Sequence, residues 1–371
     1  MSKIDPEEKQ RIVDNARIGF KGYTIPKDCL STQTLQYLYE DLSVKPFINV
    51  RIGAPDVGGA QGFPCYRENG KKIYIPRFYG EKLFGIPKVC DLEIKNHHNL
   101  TFAKTLRDYQ IEIVNTYINY VSKPGQVGGG AILEVPCGRG KTVMSLDIIS
   151  KLRQKTVIIV HKEFLMNQWI ERIQEFLPDA RIGKIQGPVF DIEDKDIVIG
   201  MLQTLYAKDF GSKGFESFGL TIIDEVHRIG SEQFSKALFK VVTPYMLGIS
   251  ATVERKDRLT NVLYMFIGDR IYHEERAKDD KVIVRGIKFV TNDSAFNETD
   301  YDFRGNPKYS TMISKVCNYG PRSDFIIRML ADLFSEHPEK QVMVLAHNRA
   351  LLVYFYESIN NKGFASCGYY V

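Results

Sequence analysis

Residues 131–152 read AILEVPCGRGKTVMSLDIISKL. Ala131 to Val135 form a short apolar run bounded by turn residues, which predicts a buried strand, and the spacing from Lys141 onward predicts an amphipathic helix. Between them Pro136, Cys137, Gly138, Arg139 and Gly140 make a tight loop. Glycines let backbone N–H groups approach an anion, and the N-terminus of the next helix adds partial positive charge. Strand, glycine loop, Lys141-Thr142 and helix therefore predict a phosphate cradle: Lys141 reaches the β- and γ-phosphates of a nucleotide, and the Thr142 hydroxyl ligates Mg2+. The strict pattern for such a loop has glycine at 135, where this chain has valine.

Similar apolar bursts recur at TVIIV (156–160), DIVIG (196–200), LTIID (220–224) and YMLGI (245–249), with helical stretches between them, notably 141–153 and 163–176. Repeated β-α units predict an α/β domain over 101–276 built on a parallel sheet. LTIIDEVH places Asp224 and Glu225 at the C-terminal end of a strand, the edge where ligands collect in open parallel sheets. Asp224 is the candidate Mg2+ carboxylate and Glu225 the candidate base that orients and deprotonates an attacking water. His227 follows closely, and Ser250 and Thr252 end the next strand, where small hydroxyl residues can hydrogen-bond the acidic pair or the histidine. Trp169, the sole tryptophan, has core-facing spacing with Leu165 and Ile173, which assigns it to packing rather than base stacking.

Around this domain the composition shifts. Residues 1–100 mix turn-rich segments such as GAPDVGGAQGFP (53–64) with alternating KKIYIPRFYG (71–80), predicting a small α+β accessory module. His97 and His98 are adjacent and point in different directions, so they fit a surface loop better than a metal site. Residues 277–320 are polar and read as an interdomain connection, with a candidate strand at KVIVRGIKFV (281–290). RSDFIIRMLADLF (322–334) predicts a helix, QVMVLA (341–346) a strand and ALLVYFYESI (350–359) a helix. About fifty residues bury too little surface to fold alone, so 321–371 is expected to be the start of a second, truncated α/β domain. Six cysteines without a CxxC pair predict free thiols. The N-terminus lacks a signal peptide's apolar core and no apolar run is long enough to span a bilayer, so the expectation is an intracellular, soluble protein. A net charge of +5 permits nucleic-acid binding without arguing for it. The cluster Arg255, Lys256 and Arg258 fits either a nucleic-acid groove or a solvated helix face.

PCGRGKT, DEVH and SAT, in this order and spacing, resemble motifs I, II and III of superfamily 2 helicases. LRDYQ (106–110) resembles the adenine-recognising segment before motif I, VHKEFLMNQW (160–169) motif Ia, and IGMLQTL (199–205) the nucleic-acid-contacting motif that follows. Coverage runs from about 106 to 360. PCGRGKT, HKEFLMNQW and SATVERKDRL are similar to the XPB-like branch, and 66–85 also resembles an N-terminal module of helicases from large nucleocytoplasmic DNA viruses. The resemblance implies RecA-like domains, ATP and Mg2+ as cofactors, adenine contacts from Arg107 and Gln110, and coupling of hydrolysis to movement through His227, Ser250 and Thr252. It also implies sequence-independent contacts to nucleic acid from His161, Lys162, Gln203 and Thr204. DNA is favoured over RNA, with RNA polymerase or other transcription or repair proteins as partners. The family's arginine finger is not found, so weak hydrolysis is expected of this chain alone. Two further readings stay open: an RNA helicase, and an ATP-gated, non-catalytic module that recruits partners through residues 1–100. If the viral likeness holds, the site of action is a viral factory or virion.

Overall fold

The computed structural model describes residues 4–47, 62–95, 97–211, 214–226, 232–255, 257, 259–275 and 284–369. It divides into two units, 1–277 and 278–371.

The first unit is organised by an eight-stranded sheet in the order Val189–Phe190, Ile182–Gln186, Ile197–Met201, Thr156–Val160, Leu220–Asp224, Tyr245–Ser250, Gly129–Glu134 and Arg270–His273. Every pairing is parallel except the terminal hairpin of Ile182–Gln186 with Val189–Phe190. The central strands are apolar throughout because both faces are covered. Alternate residues enter opposite cores. Ala131, Leu133, Ile158, Val160, Ile222 and Leu247 pack with Ile113, Tyr117, Met144, Ile148, Trp169 and Ile173 from the helices Asp108–Val121, Lys141–Leu152 and Glu163–Phe176. Ile132, Val157, Ile159 and Ile223 face the other way, towards Phe234, Leu238, Leu263 and Ile267.

Residues 4–95 hold a second, five-stranded sheet in the order Arg67–Glu68, Lys72–Ile75, Gly22–Pro26, Arg17–Gly19, Val89–Cys90, with the helices Pro6–Asn15, Thr32–Asp41 and Arg77–Leu83. Much of the turn-rich stretch 53–64 lies outside the described residues. This module is attached behind the large sheet. Arg77, only 5% exposed, donates to the carbonyls of Thr243 (3.2 Å), Pro244 (2.9 Å) and Val127 (2.9 Å). These carbonyls precede Tyr245–Ser250 and Gly129–Glu134, so the attachment lies at the sheet edge opposite the phosphate loop. Gly130 permits the close approach: a Cβ there would sit 2.1 Å from the Ile267 carbonyl and 2.3 Å from Phe78 Cζ. His98 is partly buried, its Nε2 3.0 Å from the Gln154 carbonyl oxygen.

In the second unit the helices Tyr309–Asn318, Gly320–Glu336 and Arg349–Lys362 surround a small cluster of Cys317, Ile327, Leu351, Phe355 and Ile359. The stretch expected as a connection thus contributes a packed helix. Two expected strands are not seen among the described residues. Residues 341–346 have no strand partner among the described residues, and Met343 and Leu345 are each 84% exposed. Residues 284–290 likewise have no strand partner among the described residues and are exposed except for Phe289, which packs on Phe296, Tyr319 and Phe325, and 281–283 lie outside the described residues. An alternating apolar pattern encodes an extended chain, but a strand exists only where a neighbour accepts its hydrogen bonds. All six cysteines are free, and no described helix is long and apolar enough to cross a membrane.

Candidate nucleotide site and nucleic-acid edge

The phosphate loop leaves the C-terminal end of Gly129–Glu134 and enters Lys141–Leu152 through Gly138 and Gly140, both at φ +82°. That left-handed backbone suits glycine. Space around Gly138 is open, whereas Gly140 is covered: a Cβ there would lie 2.4 Å from Gln110 Nε2. Pro136 is half-buried and Cys137 exposed.

Two strands away, Leu220–Asp224 delivers the acidic pair. Asp224 is 8% exposed, and its Oδ2 accepts a 2.9 Å hydrogen bond from Trp169 Nε1. Burial pushes its carboxyl above the usual carboxylate range; the indole N–H and the Lys141 ammonium pull the other way, and Glu225 adds to the rise. Glu225 occupies the left-handed region at φ +53°, its N–H donating to the Ile249 carbonyl at 2.9 Å. A non-glycine residue there carries backbone strain, which persists where the surroundings fix it. The Glu225 carboxylate lies 3.8 Å from Lys141 Nζ and 3.4 Å from Ser250 Oγ. The single Ser250 hydroxyl hydrogen has the Thr252 carbonyl, at 2.7 Å, as its nearer acceptor. Lys141, Glu225, Ser250 and Thr252 therefore form one connected group, while His227 lies outside the described residues.

Arg107 caps the helix Asp108–Val121, its N–H donating to Gln110 Oε1 at 3.0 Å. Gln110 spends its other end on the Arg139 carbonyl, 3.0 Å away. It braces the phosphate loop directly, and an adenine contact through its amide requires exchanging one of these partners. The Arg139 guanidinium stacks 4.0 Å over the Tyr109 ring and pairs with Glu274 at 2.6 Å.

At the same sheet edge, His161 and Lys162 follow Thr156–Val160, and Gln203 and Thr204 lie just past Ile197–Met201 on the neighbouring strand. Gln203 Nε2 donates to the His161 carbonyl at 2.9 Å, bringing the two loops together, and Lys162 is exposed. Thr204 turns inward. It is 9% exposed and its hydroxyl accepts from the Gly187 N–H at 3.0 Å, so at this edge Thr204 supports the loop and leaves the surface to Lys162 and Gln203. In the basic cluster, Arg255 pairs with Asp257, while Lys256 and Arg258 lie outside the described residues.

Sequence reasoning missed four contributors. Trp169 was assigned to packing; it packs and also holds Asp224. Glu134, an acid inside an apolar strand, is 6% exposed, accepts from Arg270 and from the Val253 N–H (3.3 Å), and lies 3.0 Å from His273 Nδ1, tying the segment after Ser250 to the strand that feeds the loop. Its position in AILEV was the available signal. Tyr109 and Glu274 carry no such signal, because their role depends on Arg139.

Residues 103–255 match the family described as type III restriction enzyme, res subunit. The chain is 31% identical over 349 residues to a protein of Acanthamoeba polyphaga mimivirus named putative ATP-dependent RNA helicase L396, covering 92% of this chain and 65% of that one. The chain is thus similar to a named helicase over nearly its whole length. Over 169 residues it is also 33% identical to the DNA 3'-5' translocase XPB2 of Sulfurisphaera tokodaii, covering 46% of this chain and 36% of the relative, so it spans less than two thirds of either protein's length. The UvsW helicase of bacteriophage T4 aligns with 69% of this chain and 99% of its own at 16% identity and a TM-score of 0.46. The matched family segment contains the glycine loop, the acidic pair and Ser250.

The donor set suits Mg2+ with a nucleotide: Thr142 and Asp224 offer oxygen ligands only, as a hard cation requires, and the glycine backbone at 138 is open to an anion. Among the described residues there is no cluster of three or more His, Cys, Asp or Glu that could hold a metal ion.

Proposed function

We propose that this chain is the ATPase-bearing part of a superfamily 2 helicase or translocase that couples Mg-ATP hydrolysis to movement along nucleic acid, with DNA as the preferred track. The observation that carries this reading is the Lys141–Glu225–Ser250 group beside a glycine loop, on the sheet edge that also presents Lys162 and Gln203. The backbone from Gly138 to Thr142 cradles the phosphates and Lys141 neutralises their charge. Glu225, fixed by its strained backbone and by Ser250, takes the proton of the attacking water on its carboxylate. Thr142 and Asp224 would hold Mg2+, which would supply charge neutralisation at the phosphates. Ser250 joins Glu225 to the Thr252 segment, so a change at the carboxylate is felt by the chain that follows. Phosphate contacts from Lys162 and Gln203 carry no base information, which fits a motor that steps without regard to sequence.

The named translocase favours DNA, and the mimivirus relative favours a viral setting; a role in transcription or repair, with RNA polymerase as a candidate partner, rests on the resemblance of the sequence motifs alone. That relative's name favours the second reading, an RNA helicase. ATP turnover of the full chain with duplex DNA, single-stranded DNA or RNA tests the choice. Stimulation by DNA above RNA supports the first reading, the reverse order the second. ATP binding with no turnover under any condition replaces both with an ATP-gated binding module.

A further inference from the structure

Trp169 is the chain's sole tryptophan, 2% exposed, on the same helix that begins beside Lys162. Its ring packs among the residues that cover the sheet, yet its N–H donates to Asp224 Oδ2 at 2.9 Å, a bond that a purely apolar packing residue could not make. An ionised carboxylate has two oxygens, and a donor fixed on Oδ2 sets the rotamer and leaves Oδ1 for a cation. Resting on the nucleotide-site reading above, we propose that Trp169 is a positioning residue for the metal-binding carboxylate: its indole N–H holds Asp224 in the orientation that receives Mg2+. The bond is buried and bridges two elements 55 residues apart, so it is maintained by the packing of the helix Glu163–Phe176 on the sheet. Arrangements of this kind hold a ligand through a second group that never touches the metal.

The substitution Trp169→Phe keeps an aromatic ring and removes only the donor and the outer ring. Binding of a fluorescent ATP analogue to the full chain is measured with increasing Mg2+ and, separately, in EDTA. The proposal predicts that the Mg2+ concentration for half-maximal tightening rises about 10- to 150-fold, the size of one lost hydrogen bond to a charged group, while affinity in EDTA stays within about twofold. The wild-type chain supplies an independent readout, because all indole emission comes from residue 169. Adding Mg2+ to the ATP-bound protein should change that emission, and Asp224→Asn should abolish the change. An unaltered Mg2+ half-point in Trp169→Phe overturns the proposal, as does an equal loss of affinity with and without Mg2+, which marks a packing role. Should the variant not fold by circular dichroism, wild-type emission decides: silence towards Mg2+ overturns the proposal, and a response lost in Asp224→Asn upholds it. Failure of the wild-type chain to bind ATP at all is a different result, since it removes the nucleotide-site reading itself.

Discussion

Replacing Arg77 by alanine tests how the N-terminal module is attached. The guanidinium is 5% exposed, gives three hydrogen bonds to the carbonyls of Val127, Thr243 and Pro244 at 2.9–3.2 Å, and pairs through Nε with Glu81 at 2.7 Å. Alanine leaves all three carbonyls without this donor and strands Glu81 beside them. Hydrogen bonds to charged groups are worth about 1.5–3 kcal/mol each but are not additive, and breaking a buried pair from one side costs about 3–5 kcal/mol. We expect about 3–5 kcal/mol in denaturant unfolding of the first unit, or about 6–20 °C in Tm for a unit of this size. Arg77→Lys retains the charge without the planar fork, so it should recover about half of the loss. Because these carbonyls lie at the sheet edge opposite the phosphate loop, Mg-ATP affinity measured well below the transition should stay close to wild type. A loss below about 1 kcal/mol, or a lysine variant as unstable as the alanine variant, refutes the reasoning.

The other predictions concern the site and one ion pair. Glu225→Gln should lower ATP turnover by about 10²–10⁴-fold, the range for losing a general base, with nucleotide binding retained; wild-type turnover removes the proposed base. Gly138→Ala should cost only the left-handed strain, about 1–2 kcal/mol, whereas Gly140→Ala should cost more, because its Cβ meets Gln110 Nε2 at 2.4 Å. Adding Gln110→Ala should recover part of the second loss but none of the first, a double-mutant cycle read by thermal unfolding. Asp196 accepts from Arg181 at 2.7 and 3.0 Å and from the Arg181 N–H at 2.9 Å. Burial raises its carboxyl, but these bonds outweigh burial and hold it below 3.8. A depressed carboxylate stabilises above its unfolded value and loses that contribution as pH falls through the folded one. Asp196→Asn should therefore cost about 1–2 kcal/mol at neutral pH, with the difference closing in unfolding curves below pH 3.8.

The central strands and the backbone form of the glycine loop were legible because their signal is local: apolar runs buried on both faces, then glycines that adopt positive φ before a helix. Strand ends moved by a residue or two, as where Gly129 and Gly130 precede the predicted start at Ala131. Residues 341–346 show the opposite case, since the pattern of QVMVLA is correct for extended chain but says nothing of a partner. The attachment of the N-terminal module was hidden for another reason. Arg77 in KKIYIPRFYG binds backbone carbonyls, which have no sequence signature. The Trp169–Asp224 bond was hidden by distance along the chain, and the helical spacing of Trp169 correctly reported packing while concealing the donor on its ring.

Equilibrium binding of Mg-ATP to the full chain and to Lys141→Ala tests the central claim most directly. The account predicts saturable, Mg2+-dependent binding by the wild-type chain and a loss of at least about tenfold in the variant, with its fold retained by circular dichroism. Equal affinity in both, or no binding by either, would contradict the assignment of the loop from Gly138 to Thr142 as a nucleotide site.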